Sequence, residues 1–264
     1  MKKNVFLFLL LAIVSIAFAE VQSDSLGAKF IKIAEGYKKN LKTDSAIIYF
    51  EKASDEYLSS KNAEGVVNSY TQIGVILTRQ DKYENAMSWL NKALGAGTSL
   101  DSNNLFIATT YISMGVVYNA EENYTQSLMY HYKALNIRIQ KLGEYDKDVA
   151  TSYGNIGNVY LNSKNYDKSI EAHLKAMQIR EKLFGANSSE VGQSYTGLGN
   201  AYREKNDYKN SLMYFEKLLK NKIEEKGPGH KDLIKIYKSI SDVYFLMGNK
   251  EQGDLFKAKA DDIK

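Results

Sequence analysis

The sequence contains no cysteine and a single proline in 264 residues. Without thiols, disulfides, thiolate catalysis, cysteine-type zinc sites and lipid attachment through an N-terminal cysteine are all excluded. Scarce proline beside abundant Lys, Asn, Ile and Tyr is the composition of an AT-rich bacterial genome. Charge of one sign is also scarce. The net charge is +4, of which Lys2 and Lys3 supply two, so the rest of the chain carries about +2 and has no run of five like charges. A nucleic-acid binder would concentrate its basic residues in a stripe, so no nucleic acid is expected. There is no G-x-S-x-G elbow, no H-E-x-x-H and no Walker-type loop, and the carboxylates are scattered at solvated spacings. Catalysis therefore has no visible centre, and no cofactor is expected.

Long apolar runs are missing too, with one exception. Lys2 and Lys3 precede VFLFLLLAIVSIAF (Val5 to Phe18), followed by small residues two apart in Ala17-Phe18-Ala19. That order is a secretory signal peptide, with cleavage expected before Glu20. The run is shorter than the ~20 apolar residues that cross a bilayer. The remaining chain is expected to be exported, periplasmic or secreted, with no stable membrane insertion after cleavage. Since 44% of the residues are hydrophobic, a substantial core is available without disulfides.

What the chain does have is repetition. SYGNIGNVY (Ser152 to Tyr160) looks at first like a glycine-rich phosphate loop. However, SYTGLGNAY (Ser194 to Tyr202) follows 42 residues later and IYKSISDVY (Ile236 to Tyr244) 42 after that. TYISMGVVY (Thr110 to Tyr118) lies 42 before, SYTQIGVIL (Ser69 to Leu77) 41 earlier still, and a weaker KFIKIAEGY (Lys29 to Tyr37) another 40 back. A phosphate loop occurs once per site, whereas six copies at a fixed period mean a repeat array. Within a copy, Tyr153, Ile156, Gly157 and Tyr160 fall at i, i+3, i+4 and i+7, one face of an α-helix. Glycine inside a helix costs about 1 kcal/mol relative to alanine. Its recurrence at Gly115, Gly157 and Gly199 predicts a second helix passing close by.

That second helix follows a polar turn such as NSKN (Asn162 to Asn165). Ser169, His173 and Ala176 repeat a small, large, small pattern also seen at Ser127, His131, Ala134, at Ala86, Leu90, Ala93, and at Ala46, Phe50, Ala53. Gly143, Gly185 and Gly227, again 42 apart, are expected to end these helices with left-handed C-caps.

These residues resemble the tetratricopeptide repeat family, in its 42-residue kinesin-light-chain-like form. Small residues at Gly115, Gly157 and Gly199, flanking aromatics, and a second helix ending in Lys141-Leu142-Gly143 or Lys182-Leu183-Phe184-Gly185 carry the likeness. The implied fold is all-α, a superhelical array of about six antiparallel helix pairs. The expected division is a signal peptide at 1–19, a lead at 20–26 and the array at 27–264. Its repeats are 27–66, 67–107, 108–149, 150–191, 192–233 and 234–264. Gly253 and Lys257 depart from the pattern in the last repeat, as expected where a terminal helix faces water.

Several residues invite sharper readings. Fourteen of the 20 tyrosines occupy repeat-framework positions, which leaves few to stack nucleic-acid bases. His131 and His173, one repeat apart, are expected to fill the large-residue slot rather than bind metal, since no carboxylate shares their phase. Trp89 is expected in packing and His230 in solvent. Asn123-Tyr124-Thr125 and Asn187-Ser188-Ser189 match glycosylation acceptors, relevant only in a eukaryotic secretory pathway.

In the arrays the chain resembles, first helices line the concave side. The inner face implied here reads Asn68, Thr71, Val75, Thr78; Thr109, Ile112, Val116, Asn119; Thr151, Gly154, Asn158, Leu161. None of these twelve is charged. It continues as Gln193, Thr196, Asn200, Arg203 and then Lys235, Lys238, Asp242, Phe245. Asn158 and Asn200 are expected to hydrogen-bond the backbone of an extended peptide, as asparagines do in related arrays, and Gly154 to leave a pocket. Lys235 and Lys238 are candidate contacts for an acidic group. The partner would be another protein or peptide, bound by a non-catalytic scaffold with little salt dependence in the central groove. The alternatives are a structural or self-associating subunit of an envelope complex, and a ligand-sensing partner of a signalling protein.

Overall fold

The computed structural model describes residues 2–263, with side-chain surroundings from Glu20 onward. The side chains of the expected signal segment lie outside the described residues. Among the described residues twelve α-helices follow one another: α1 (Lys2–Lys39), α2 (Thr43–Ser59), α3 (Ala63–Arg79), α4 (Tyr83–Ala96), α5 (Leu105–Ala120), α6 (Tyr124–Leu142), α7 (Lys147–Asn162), α8 (Tyr166–Phe184), α9 (Ser189–Glu204), α10 (Tyr208–Lys226), α11 (Leu233–Leu246) and α12 (Lys250–Asp261). A 3₁₀ turn covers Gly97–Ser99. The chain is 83% helical, with no strand among the described residues. None of the helices, over the described residues, is long and apolar enough to cross a membrane.

The chain divides into two compact units, Met1–Glu121 with α1 to α5 and Glu122–Lys264 with α6 to α12. In the first, α2 packs on α1 and α3, α4 packs on α3, and α5 rests against both α3 and α4. In the second, each helix from α6 to α12 packs on the next, and α7 also meets α9. The larger core of the second unit gathers Tyr195, Leu198, Tyr214, Phe215, Leu233, Tyr237 and Ile240 between successive helices. Each pair thus buries on its neighbour a face that it could not cover alone.

Local sequence explains where helices start. The polar turns place Leu41, Asp81, Glu122, Lys164, Asn206 and Gly248 at positive φ. Asn or Asp then caps the helix after the last four of these turns, whereas Lys42 and Lys82 precede α2 and α4 without a side-chain cap. The side chains of Asn123, Asn165, Asp207 and Asn249 accept from the amides of Gln126, Lys168, Asn210 and Gln252 at 3.1–3.4 Å. Framework aromatics stack within pairs, as in Tyr37 on Tyr49, Tyr202 on Tyr214 and Tyr244 on Phe256. Trp89 lies against Tyr70, their ring centroids 5.2 Å apart, under Lys92.

The helix ends differ from the expectation in one respect. Gly143 has φ 82° but ψ 168°, far from the left-handed helical region. Gly185 and Gly227 repeat this, with ψ 153° and 162°. The Gly143 amide still donates to the Ile139 carbonyl at 2.9 Å, completing the last helical bond. The chain then leaves in an extended direction toward α7, a combination of angles essentially open to glycine alone. Gly143→Ala is expected to lower the unfolding free energy by about 2 kcal/mol, measured by urea denaturation.

The terminal pair also behaves differently from a merely solvated end. A Cβ on Gly253 would sit 2.6 Å from the Phe245 ring, and the Gly253 carbonyl accepts from Ser241 at 2.7 Å. Gly253 therefore admits the Phe245 ring beside a buried backbone contact.

Candidate functional site

The glycine positions explain how first and second helices approach. A Cβ at Gly74 would lie 2.7 Å from Leu90, at Gly157 2.7 Å from His173, and at Gly199 2.6 Å from the Phe215 ring. The large slot holds Phe50, Leu90, His131, His173 and Phe215 in turn, all essentially buried. His131 and His173 thus sit where other repeats place hydrocarbon. Burial lowers both pKa values to about 4, helped by the charges of Arg138 and Arg180 respectively.

His173 is held from two sides, because a Cβ on Gly197 of α9 would come within 2.4 Å of its ring. Two facing glycines let α7 and α9 close on the same imidazole. Above it opens a cleft of about 330 Å³ between α7 and α9. Thr151, Gly154 and Asn158 line one wall and Gln193, Thr196 and Asn200 the other, so six of the residues named from the sequence share one site. Asn155 joins them, and His173, Arg180 and Gly197 complete the lining.

The polar groups in this cleft differ in what they can offer. The Thr151 and Thr196 hydroxyls donate to the Lys147 and Gly192 carbonyls at 2.9 and 3.0 Å. Each keeps acceptor lone pairs for an incoming N–H. The amides of Asn158 and Asn200 make no hydrogen bond among the described residues, so each presents both a donor and an acceptor. A peptide backbone requires that pairing.

Other sequence-named residues lie elsewhere. Leu161 is half-buried against the second unit's core. Arg203 pairs with Glu204 at 3.2 Å and borders a separate hollow with Asp242, Phe245 and Leu246. Lys235 lines a third cavity, of about 420 Å³, with Lys222, Asp232 and Ser239, whereas Lys238 is exposed and borders none of these. In the first unit Asn68, Thr109, Ile112 and Asn119 are half-buried. Thr71 is a correction: it is 1% exposed, its hydroxyl 2.8 Å from that of Thr110, because α5 packs directly on α3.

Arg180 is the residue the sequence reading missed, and it corrects the expectation of an uncharged centre. It is 6% exposed, with Nη1 donating to Ser194 Oγ at 2.6 Å and Nη2 to Gln193 Oε1 at 3.1 Å. Arg138 and Lys222 occupy the same place 42 residues before and after. That period was the available signal, but it lies on the second helix, beyond the small, large, small pattern.

Within each unit, antiparallel helices pack one after another around helical repeats of one kind. Models of the tetratricopeptide repeat match residues 106–163, 148–224 and 67–96, together more than half of the chain. The chain belongs to the tetratricopeptide repeat family, a family of protein–protein interaction scaffolds that are generally non-catalytic. Among solved structures, BtubC (BKLC) from P. vanneervenii is similar with a TM-score of 0.71 at 18% identity, covering 82% of this chain and 89% of that one. A kinesin-light-chain-like chain from Podosopora anserina with nearly identical TPR-like repeats reaches 0.63 at 12% identity, covering 75% and 96%. A tetratricopeptide repeat protein from Parabacteroides merdae reaches 0.61 at 17%, covering 92% and 80%. These identities carry the fold and no more. A search of the curated proteins found no match.

Proposed function

We propose that the protein is an exported, non-catalytic scaffold that captures an extended segment of another protein in the cleft between α7 and α9. The observation that carries this reading is the pair of uncommitted amides, Asn158 and Asn200, facing one cleft with back-bonded threonines beside them. Shape and backbone hydrogen bonds would supply the affinity. The export part rests on Lys2, Lys3 and the apolar run Val5 to Phe18.

Replacing both asparagines by alanine tests the reading. Each lost hydrogen bond to a ligand backbone is worth about 1 kcal/mol, so the double variant is expected to bind its selected peptide about 30-fold more weakly in fluorescence anisotropy. Unchanged affinity would remove the cleft from consideration.

A second reading, self-association, draws on exposed apolar residues at the end of the second unit, Phe245, Leu246, Met247 and Leu255. A stable oligomer in light scattering, lost on Leu246→Asp, would favour it.

A further inference from the structure

We infer that the cleft between α7 and α9 is selective for an acidic peptide, seating one carboxylate on the buried guanidinium of Arg180. This deepens the peptide-binding reading above and rests on it.

The case begins with a comparison of three cations at one repeat position. Arg138 donates to the Asp148 carbonyl and to Ser152, and the charges of Asp148 and Asp146 offset part of its burial. Lys222 is paired to Glu225 at 2.6 Å. Of the three, Arg180 alone has no acid beside it among the described residues. Ser188 and Glu190 stand where Asp146 and Asp148 stand for Arg138, and the Glu190 carboxylate instead accepts from Ser189 at 3.3 Å. Its two partners, Ser194 and Gln193, are neutral. Arginine stays charged, and a buried charge without a counter-charge is costly. No described residue supplies the anion, which leaves the place open to one from outside the chain.

Geometry leaves room for it. A Cβ built on Gly154 would be 3.8 Å from Arg180 Nη2, the nearest atom to that position, so nothing stands between α7's glycine and the guanidinium. Only two of the five N–H groups of Arg180 are engaged by these partners, and the others remain to donate. A second observation comes from His173. It is 3% exposed and borders the same cleft, yet neither ring nitrogen meets a partner among the described residues. Both nitrogens are closed off between Gly157 and Gly197, so the neutral ring supplies no counter-charge and Arg180 is the charged residue of the cleft lining. One uncompensated positive charge balances one carboxylate, whereas a phosphate dianion would remain half-neutralised.

The test uses the purified protein and two pools of fluorescein-labelled random decapeptides, one with free C-termini and one amidated. Bound peptides are sequenced by mass spectrometry. Recovery of peptides with Asp or Glu at a fixed place from both pools assigns the carboxylate to a side chain. Recovery from the free pool alone assigns it to the C-terminus. Replacing that acid by its amide is expected to weaken binding about 10- to 100-fold, the value of a charge-assisted hydrogen bond. This change leaves the protein untouched, so folding does not confuse it. Arg180→Gln, checked for an unaltered melting curve, is expected to lose the same factor and to become indifferent to the acid-to-amide change.

Peptides that depend on Asn158 and Asn200 but bind equally well as acid or amide would overturn the carboxylate assignment while leaving the cleft's function standing. If no recovered peptide depends on those asparagines, or none is recovered, the peptide-binding reading falls and the assignment with it.

Discussion

Replacing Gly157 and Gly197 together by alanine is expected to lower the unfolding free energy by about 3 kcal/mol in urea denaturation. The two changes press on His173 from opposite sides. A methyl on Gly157 would lie 2.7 Å from the ring and one on Gly197 2.4 Å from it. An imidazole pushed by one helix has no space to retreat toward the other, so the overpacking cost falls near the top of its usual range of about 1–3 kcal/mol at each site. Alanine's better helix propensity returns about 1 kcal/mol per replacement. Gly36 is the control. It lies exposed in α1 with no neighbouring atom in reach of a new Cβ, and Gly36→Ala is expected to raise stability by up to about 1 kcal/mol. Adding His173→Ala to the double variant should restore much of the loss by vacating the space. If the doubly substituted protein is as stable as the parent, the glycines are not there to admit the neighbouring ring.

Acidification is expected to produce the second large effect. His131 and His173 have pKa values of about 4 in the folded chain, lowered chiefly by burial and secondarily by Arg138 and Arg180. In the unfolded chain each returns to about 6.5. The unfolded state therefore binds more protons between pH 6.5 and 4, and stability must fall as pH falls through that window. Each histidine costs nothing appreciable above neutrality and about 2 kcal/mol at pH 5. The pair should reduce the unfolding free energy by about 4 kcal/mol between pH 7 and pH 5, before ordinary carboxylates titrate. His131→Leu with His173→Leu should flatten the profile, since Leu90 fills the same slot above Gly74. An equal slope in the doubly substituted protein would trace the acid sensitivity to other groups.

Residues of the candidate site differ in how far the sequence exposes them. Asn158 and Asn200 were legible because their helical phase relative to Gly157 and Gly199 already points them away from the partner helix, and the structure sets both on one cleft. Thr71 has the same phase as Gly154 and Thr196 but ends up buried against Thr110, because α5 settles directly on α3. Its exposure depended on how close the next helix came. Arg180 failed in the opposite direction. As a charged residue near the end of a helix it reads as solvated, and its burial exists only once Ser194 and Gln193 of α9 close over it.

By itself, the sequence determined the number and period of the helical segments, the face each buries and the glycines at which they approach. Those are properties of local periodicity and side-chain size. The tertiary structure alone decided which polar groups were left without partners: the amides of Asn158 and Asn200, the imidazole of His173 and the acid-free guanidinium of Arg180. Satisfaction of a polar group depends on atoms brought in from a neighbouring repeat, at separations that no spacing along one helix encodes.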